Sequence, residues 1–459
     1  MEQFLIEFQR VFAYSLAQAL MSALLSVAVG TIGAFGVIGL RQGWQRQIGE
    51  MILLLPSLFP ALFVILSTLN LIMPWTTFPF GIRGVVIAHV LANFGVVAVV
   101  LGRVLESKLG AVVEIATIEG ASKWRIVWQC VRGLLDEATG LLFFLFIVCF
   151  TSFSVPLVLG AQSGATIEVL IYREMIRHAA LTRAVILAII EAAFVFAFSM
   201  VLRIGFSQDR PQPRFLRRAF IPQALYLTLF VSMLVIAGTF HGLPSGLKML
   251  QSAPALKTLL FNRFLGTLFE CVAVSVLTGL FFVGIFLLYR QRLLDRILAG
   301  YVAPSLVLTG FVIYLLIPVE DLSTVARLTI ISLGFAFLIL PSLYRLRGRS
   351  AVKSLQGQLD MARIEGASGM LVFREVIWPQ RARDIMWICG LAALWASGDF
   401  AFATLLSGHD ITLALTAQTL MGGYRLQLAT VVTWFSLLTG GAVFFLCYRL
   451  GRIFDREAA

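Results

Sequence analysis

Apolar residues fill most of the chain in long runs, and short polar stretches separate those runs. Each run of about 18 or more residues can cross a hydrocarbon core of about 30 Å as an α-helix. No run shows the alternating polarity of a membrane β-strand. The pattern therefore predicts an all-α, polytopic membrane protein with about 11 spanning helices, near residues 13–40, 51–73, 83–105, 137–160, 184–206, 219–240, 264–289, 296–317, 323–345, 383–407 and 428–449.

Composition and charge support this class and indicate an orientation. Apolar residues make up 59% of the chain and charged residues 13%, whereas soluble domains carry about 25% charge. The net charge of +12 is not gathered into a basic stripe with interleaved aromatics, which argues against a nucleic-acid partner. With the N-terminus placed outside, 26 of the 36 Lys and Arg residues fall in inner segments. The bias predicts an external N-terminus and a cytoplasmic C-terminus.

Two polar segments are nearly identical in sequence. Residues 114–122 read Glu-Ile-Ala-Thr-Ile-Glu-Gly-Ala-Ser, and residues 360–368 read Asp-Met-Ala-Arg-Ile-Glu-Gly-Ala-Ser. Matches at nearly the same offset continue outside the loops, as in Gly30 with Gly279 and Gly160 with Gly408. A nearly constant offset through several helices indicates an internal duplication.

The duplication predicts a first repeat over 1–206 and a second over 219–459, with repeated loops at 107–135 and 346–380. A polar, proline-bearing linker over 207–218 separates them. Five helices precede the linker and six follow it. Because the helix at 219–240 has no counterpart in the first half, the repeats are expected to be parallel, with a pseudo-two-fold axis along the membrane normal. Both loops then face the cytoplasm.

Each repeated loop has the residues of a compact helical turn. An acidic residue and an alanine begin a short helix, Gly120 or Gly366 permits a reversal because it lacks Cβ, and Ala-Ser starts a second short helix. Two such knobs would suit docking onto a two-fold symmetric soluble partner. The alternative is that they are amphipathic interfacial helices that stabilise a membrane boundary.

The loops resemble the EAA loop of ABC importer permeases, in which Glu-Ala-Ala is followed by a Gly and later by a Pro. The second loop matches this pattern, although Asp replaces the first Glu. In both loops another residue, Ile115 or Met361, replaces the middle Ala. The first loop keeps the Glu but has Gly133 where the proline belongs. The matching positions are Glu114, Ala116 and Gly120 in the first loop, and Asp360, Ala362, Gly366 and Pro379 in the second.

The resemblance extends over essentially the whole chain, because fused permeases of the iron(III) and thiamine importer group look like two such units in tandem. It implies two partners: a dimer of separate ATP-binding subunits and an external substrate-binding protein. The ATP-binding subunits are expected to contact Glu114, Ala116, Gly120, Asp360, Ala362 and Gly366. It implies alternating access in the inner membrane and iron(III) or thiamine as the substrate. The chain has no P-loop spacing, so ATP hydrolysis is assigned to a partner and no enzymatic activity or cofactor is expected of this chain.

Acidic residues at membrane depth are the candidates for the substrate pathway, since such residues are costly and often functional. These are Glu191, Glu270 and Asp399; for each, packing in the bundle with a hydrogen-bond partner is the alternative. The five cysteines and four histidines form no metal-ligand pattern. The alternative function is a secondary transporter driven by a proton or sodium gradient, in which the three acids would be relay or ion sites.

Overall fold

The fold is known from a computed structural model, which describes residues 2–41, 43–73, 80–160, 165–177, 180–201, 216–288, 298, 305–317, 322–407 and 411–454. No strand occurs within these ranges. Among the described residues, seven helices are long and apolar enough to span a membrane singly, and three bent helix pairs raise the number to ten. The shorter apolar helix Leu306–Leu316 falls within the remaining predicted segment. Every one of the eleven predicted segments thus contains helix, and the chain is an all-α, multi-pass membrane protein.

The chain divides into two compact units. The first comprises Met1–Glu174 with Ala180–His241, and the second comprises Met175–Ala179 with Gly242–Ala459. The helices of the first unit are α1 (Glu2–Val37), α2 (Trp44–Leu58), α3 (Ala61–Ile72), α4 (Ile82–Ile118), α5 (Lys123–Gly133), α6 (Leu135–Phe150), α7 (Ser154–Leu159), α8 (Ile167–Tyr172), α9 (Leu181–Val201) and α10 (Pro222–Gly238).

The second unit begins with a short helix and then follows the order of the first. Its helices are α11 (Leu243–Gln251), α12 (Pro254–Leu288), α13 (Leu306–Leu316), α14 (Thr324–Leu343), α15 (Arg349–Ser354), α16 (Gln356–Ile364), α17 (Gly369–Val372), α18 (Trp378–Ser397), α19 (Ala401–Ser407), α20 (Leu413–Gly422) and α21 (Leu426–Ile453). Single π-helical turns follow α8 and α14 and connect α17 to α18.

Helix α10 packs on the first unit, although the sequence groups it with the second repeat. Ser67 donates a hydrogen bond to the carbonyl of Val235 at 2.7 Å, and the Asn70 amide donates to the carbonyl of Gly238 at 2.8 Å. At Gly36, a Cβ would lie 2.4 Å from the backbone of α10, so only glycine permits this approach. The packing unit therefore ends later along the chain than the repeat boundary. Most of the predicted linker, through residue 215, lies outside the described residues.

A matched hydrogen bond recurs inside each unit. In the first unit, the N–H of Ile167 at the start of α8 donates to Ser15 Oγ on α1 at 2.9 Å. In the second, the N–H of Leu413 at the start of α20 donates to Thr267 Oγ1 on α12, also at 2.9 Å. A hydroxyl on the first long helix of each unit thus satisfies a backbone N–H at a helix start, where no intrahelical acceptor is available. The duplicated sequence therefore folds into duplicated local structure.

Candidate functional site

The first repeated loop forms a tight turn between α4 and α5. Gly120 has φ of +76°, in the left-handed region, and the N–H of Ala121 donates to the carbonyl of Ala116 at 2.9 Å. This bond pattern closes a helix C-terminus on a left-handed glycine. The expected short first helix is wrong for this copy. Glu114 and Ala116 lie instead on the last turns of α4, a 37-residue helix of about 55 Å that outreaches the hydrocarbon core.

The second loop builds the same turn from a short helix. Asp360 and Ala362 lie on α16, a nine-residue helix. A short helix is predicted here, but it begins at Gln356 and not at Asp360. Gly366 again has φ of +76°, and the N–H of Ala367 donates to the carbonyl of Ala362 at 2.9 Å. At both loop glycines an added Cβ would meet no atom within 4 Å. The requirement for glycine therefore comes from backbone conformation and not from crowding.

The tips of the two turns expose matched apolar side chains. Ile118 and Ile364 are 86% and 85% exposed, and one helical turn earlier Ile115 and Met361 are 56% and 65% exposed. Glu114 and Asp360, one position before the latter pair, are also exposed. Exposed apolar groups rimmed by polar ones are typical of a surface that binds another molecule. The two loops present this surface in duplicate.

The chain leaves the two turns differently. In the first copy α5 ends at Gly133 and α6 begins at Leu135 with a bend of 52°. In the second copy Pro379 lies in the first turn of α18, where its missing N–H costs no hydrogen bond, and a π-helical turn precedes it. Loss of the proline in the first loop thus coincides with a break between two helices.

A groove of about 360 Å³ lies beside the first turn, between the end of α4 and α5. Its wall includes Ala116 and Gly120, two of the positions singled out from the sequence, and Arg125 and Gln129 on α5. An apolar floor with a few polar groups is typical of a binding pocket. This groove places a concave surface next to the exposed tip.

A buried ion network near the first loop was missed by the sequence analysis. Arg46 on α2 donates to both carboxylate oxygens of Glu106 on α4 at 2.8 Å, and its Nε donates to Glu50 at 2.8 Å. Arg103 donates to the other oxygen of Glu50 at 2.6 Å. Glu106 is 2% exposed and Glu50 is 7% exposed. The network joins α2 to the helix that carries the loop. The sequence did contain a signal for this network, because Arg46 and Glu50 lie near the end of one predicted helix and Glu106 lies near the end of another.

The structure brings two of the three predicted pathway acids together. Glu270 on α12 and Asp399 at the start of α19 are buried in the second unit, close enough to interact electrostatically. Asp399 Oδ1 accepts from the N–H of Phe402 at 3.2 Å and so caps α19. Its Oδ2 and both oxygens of Glu270 have no hydrogen-bond partner among the described residues.

Glu191 lies in the first unit on α9, 1% exposed. It neighbours Glu168 on α8, a fully buried acid that the sequence analysis did not single out. A buried histidine was also missed: His89 lies between the hydroxyls of Ser22 and Ser152, at 3.3 and 3.1 Å. Within the described ranges, no three His, Cys, Asp or Glu residues are grouped as metal ligands.

Comparison with known proteins bears on these loops and acids. The chain is 24% identical to a thiamine transport system permease protein of Haemophilus influenzae, over 95% of this chain and 87% of the relative. It is 26% identical to one from Brucella abortus, over 98% of this chain and 88% of the relative. The chain is similar to transport permeases along nearly its whole length. The resemblance to a fused importer permease, predicted from the loops, is confirmed.

A third permease of the same name, from Salmonella typhimurium, is 28% identical over 39% of this chain and 30% of its own length. These relatives are named as permeases, which confirms the expectation of a transport subunit and not an enzyme. No family model and no solved structure matches the chain.

Proposed function

We propose that the chain is the permease subunit of an ATP-driven thiamine importer. The observation that carries this proposal is the pair of matched turns at Gly120 and Gly366, found in a chain similar to thiamine permeases over nearly its whole length. The partners are a dimer of ATP-binding subunits and an external substrate-binding protein. The chain lies in the inner membrane, with its N-terminus outside and its C-terminus in the cytoplasm.

The coupling surface comprises the two exposed turns. Each ATP-binding subunit contacts one loop, at Glu114, Ala116 and Gly120 in the first copy and at Asp360, Ala362 and Gly366 in the second. The matched exposure of Ile118 and Ile364 supports a two-fold symmetric partner, because such a partner offers the same apolar site twice. Closure of the ATPase dimer draws the loops together and rocks the two repeats, which gives alternating access.

The resemblance of the loops left iron(III) and thiamine as candidate substrates. We favour thiamine because the relatives that match over most of their length are named as thiamine permeases. The thiazolium ring of thiamine carries a positive charge. A pathway lined by Glu191, Glu270 or Asp399 would favour a cation over an anion. The two neighbouring carboxyls in the second unit support that assignment, because unpaired buried acids are costly and acids at membrane depth are often functional.

Reconstituted transport tests the proposal. The chain, its ATPase and its binding protein are placed in proteoliposomes, and uptake of labelled thiamine and ferric ion is measured with and without ATP. We expect ATP-dependent thiamine uptake. Asp360→Lys and Gly366→Pro should abolish thiamine-stimulated ATP hydrolysis while the protein stays folded in the membrane, whereas Gly357→Ala, in the first turn of α16, should leave it unchanged.

Gradient-driven transport remains the competing function, because Glu270 and Asp399 are buried together as an ion or proton site would require. Uptake by this chain alone under a pH or sodium gradient, without ATP, would establish that function and refute the ATP-driven one. Uptake of ferric ion without thiamine would retain the importer but change its substrate.

A further inference from the structure

Helix α5, which follows the first turn, has an apolar face that no described part of the protein covers. Ile126 and Cys130 are buried, each 3% exposed, and fix the side of α5 that packs on the protein. Trp124 and Trp128, one turn apart on another side, are 72% and 56% exposed. Two tryptophans that are more than half exposed on an 11-residue helix form a large apolar surface that the described part of the protein leaves open.

Cationic side chains border this tryptophan face. At about 100° per residue, the half-buried Val127 and Val131 fall beside the tryptophans, Lys123 falls at one edge, and Arg132 at the other. The Arg132 guanidinium lies 5.3 Å from the centre of the Trp128 ring, within range of a cation–π interaction. An apolar face with tryptophan, bordered by Lys and Arg, is typical of a helix lying in a membrane interface.

The tryptophan face is continuous with a membrane span. Helix α5 joins α6 at Leu134 with a bend of 52°, and the two together are long and apolar enough to span. Leu135 and Phe143 on α6 are 55% and 37% exposed, as expected of side chains that face lipid. The bend inclines α5 by 52° to α6, so α5 leaves the direction of the span at its end.

The second repeat argues against the ATPase as the occupant of this face. Positions 370, 374 and 378, which correspond to 124, 128 and 132, hold Met, Arg and Trp. There the half-buried Trp378 ring packs on Phe373 and Phe454, with centroids 5.7 and 5.5 Å apart. A two-fold symmetric partner needs the same contacts at both loops. Trp124 and Met370 are both exposed apolar residues, but the exposed Trp128 of the first copy is replaced by the cation Arg374 in the second. The turn tips match more closely than this face does. The boundary of each repeat with lipid need not match.

We propose that α5 is an interfacial anchor that binds anionic phospholipid headgroups. Trp124 and Trp128 lie at the boundary between headgroups and acyl chains, and Lys123, Arg125 and Arg132 contact headgroup phosphates. The anchor fixes the height of the first loop relative to the membrane. This inference requires only that the chain spans a membrane, so it stands or falls separately from the ATP-driven function.

The charge contribution is tested on the full chain in nanodiscs of phosphatidylcholine with increasing phosphatidylglycerol, by following the unfolding temperature. Phosphatidylglycerol should raise the unfolding temperature of the unaltered protein. Each cation near the surface contributes about a fivefold gain in affinity for anionic lipid. The variant Lys123→Gln/Arg125→Gln/Arg132→Gln should therefore need roughly 100-fold more phosphatidylglycerol for the same shift.

A matched variant removes three cations from the second loop region: Lys353→Gln/Arg374→Gln/Arg383→Gln. All three side chains are exposed, and the variant should keep the phosphatidylglycerol response. The proposal is overturned if the unaltered protein does not respond to phosphatidylglycerol, or if both variants respond equally. It is also overturned if the α5 variant keeps the lipid response and loses only the binding of the ATPase.

The depth of the tryptophans gives an independent test. Brominated phosphatidylglycerol quenches tryptophan fluorescence on contact, so Trp124→Phe/Trp128→Phe should reduce the quenched fraction substantially. Trp378→Phe, at the position corresponding to Arg132, should change the quenched fraction much less, because that ring is half-buried against Phe373 and Phe454. An unchanged quenched fraction in the Trp124→Phe/Trp128→Phe variant would place α5 away from lipid and overturn the proposal.

Discussion

Arg46 and Glu106 form a two-bond ion pair, with both N–O distances at 2.8 Å, between helices that are separate in sequence. Glu50 completes the set from α2. At the offsets of the repeat, the second half has Leu294, Leu298 and Val352 in these three places. Leu298 and Val352 are buried. The first half thus uses a buried ion network where the second half has apolar residues.

This substitution within one chain supports a stability prediction. Removing one partner of a buried pair costs about 3–5 kcal/mol, whereas replacing the whole group by apolar residues is often neutral. Glu106→Val alone should therefore destabilise the protein by about 3 kcal/mol or more. Arg46→Leu/Glu50→Leu/Glu106→Val should recover most of that loss. Unfolding of purified protein in a detergent titration measures both; a triple variant less stable than the single one would refute the argument.

The loop glycines should tolerate only residues that adopt a left-handed backbone. A non-glycine residue in that conformation costs about 1–2 kcal/mol, and asparagine tolerates it best. Gly366→Val should therefore reduce thiamine-stimulated ATP hydrolysis strongly, while Gly366→Asn should retain much of it. The same order should hold for Gly120→Val and Gly120→Asn. Equal activity of the Val and Asn variants would show that the turn conformation is not required.

The exposed tip residues should matter for partner binding and not for folding. Ile118→Asp and Ile364→Asp each place a charge at a position whose side chain is already about 85% exposed. The free energy of unfolding should therefore stay within about 0.5 kcal/mol of the value for the unaltered protein. Co-purification of the ATPase should fall for each and be lost in the double variant. As a control, Ile126→Asp replaces a side chain that is 3% exposed and should destabilise the protein. Full ATPase retention by the double variant would exclude the tips from the interface.

Glu270 should lower the stability of the protein and be required for transport. Both its oxygens are buried without a partner among the described residues, and an unsatisfied buried group costs about 1–3 kcal/mol. Glu270→Leu should therefore raise the unfolding midpoint and reduce thiamine uptake. Ser275→Ala, on the same helix, is the control and should leave uptake unchanged. A Glu270→Leu variant that loses stability would mean that a partner satisfies this carboxyl.

Sequence by itself determined the class, the helices and the repeated turns. Apolar runs specify spanning helices because a hydrocarbon core leaves the backbone no partner but itself. The loop glycines indicated chain reversals, because glycine lacks Cβ and permits conformations that other residues avoid. The loop motif also identified the resemblance to importer permeases.

Tertiary structure decided what depends on distant partners. Helix α10 packs with the first unit because Gly36 leaves room for its backbone and the Asn70 amide donates a hydrogen bond to it. The offset of the repeat carries no information about these contacts. The Arg46–Glu106 pair joins positions 60 residues apart, and hydropathy records such residues only as charges near helix ends. The uncovered tryptophan face of α5 likewise emerged only when its buried side was known. Periodicity predicts that a helix has faces, and packing decides which of them the protein covers.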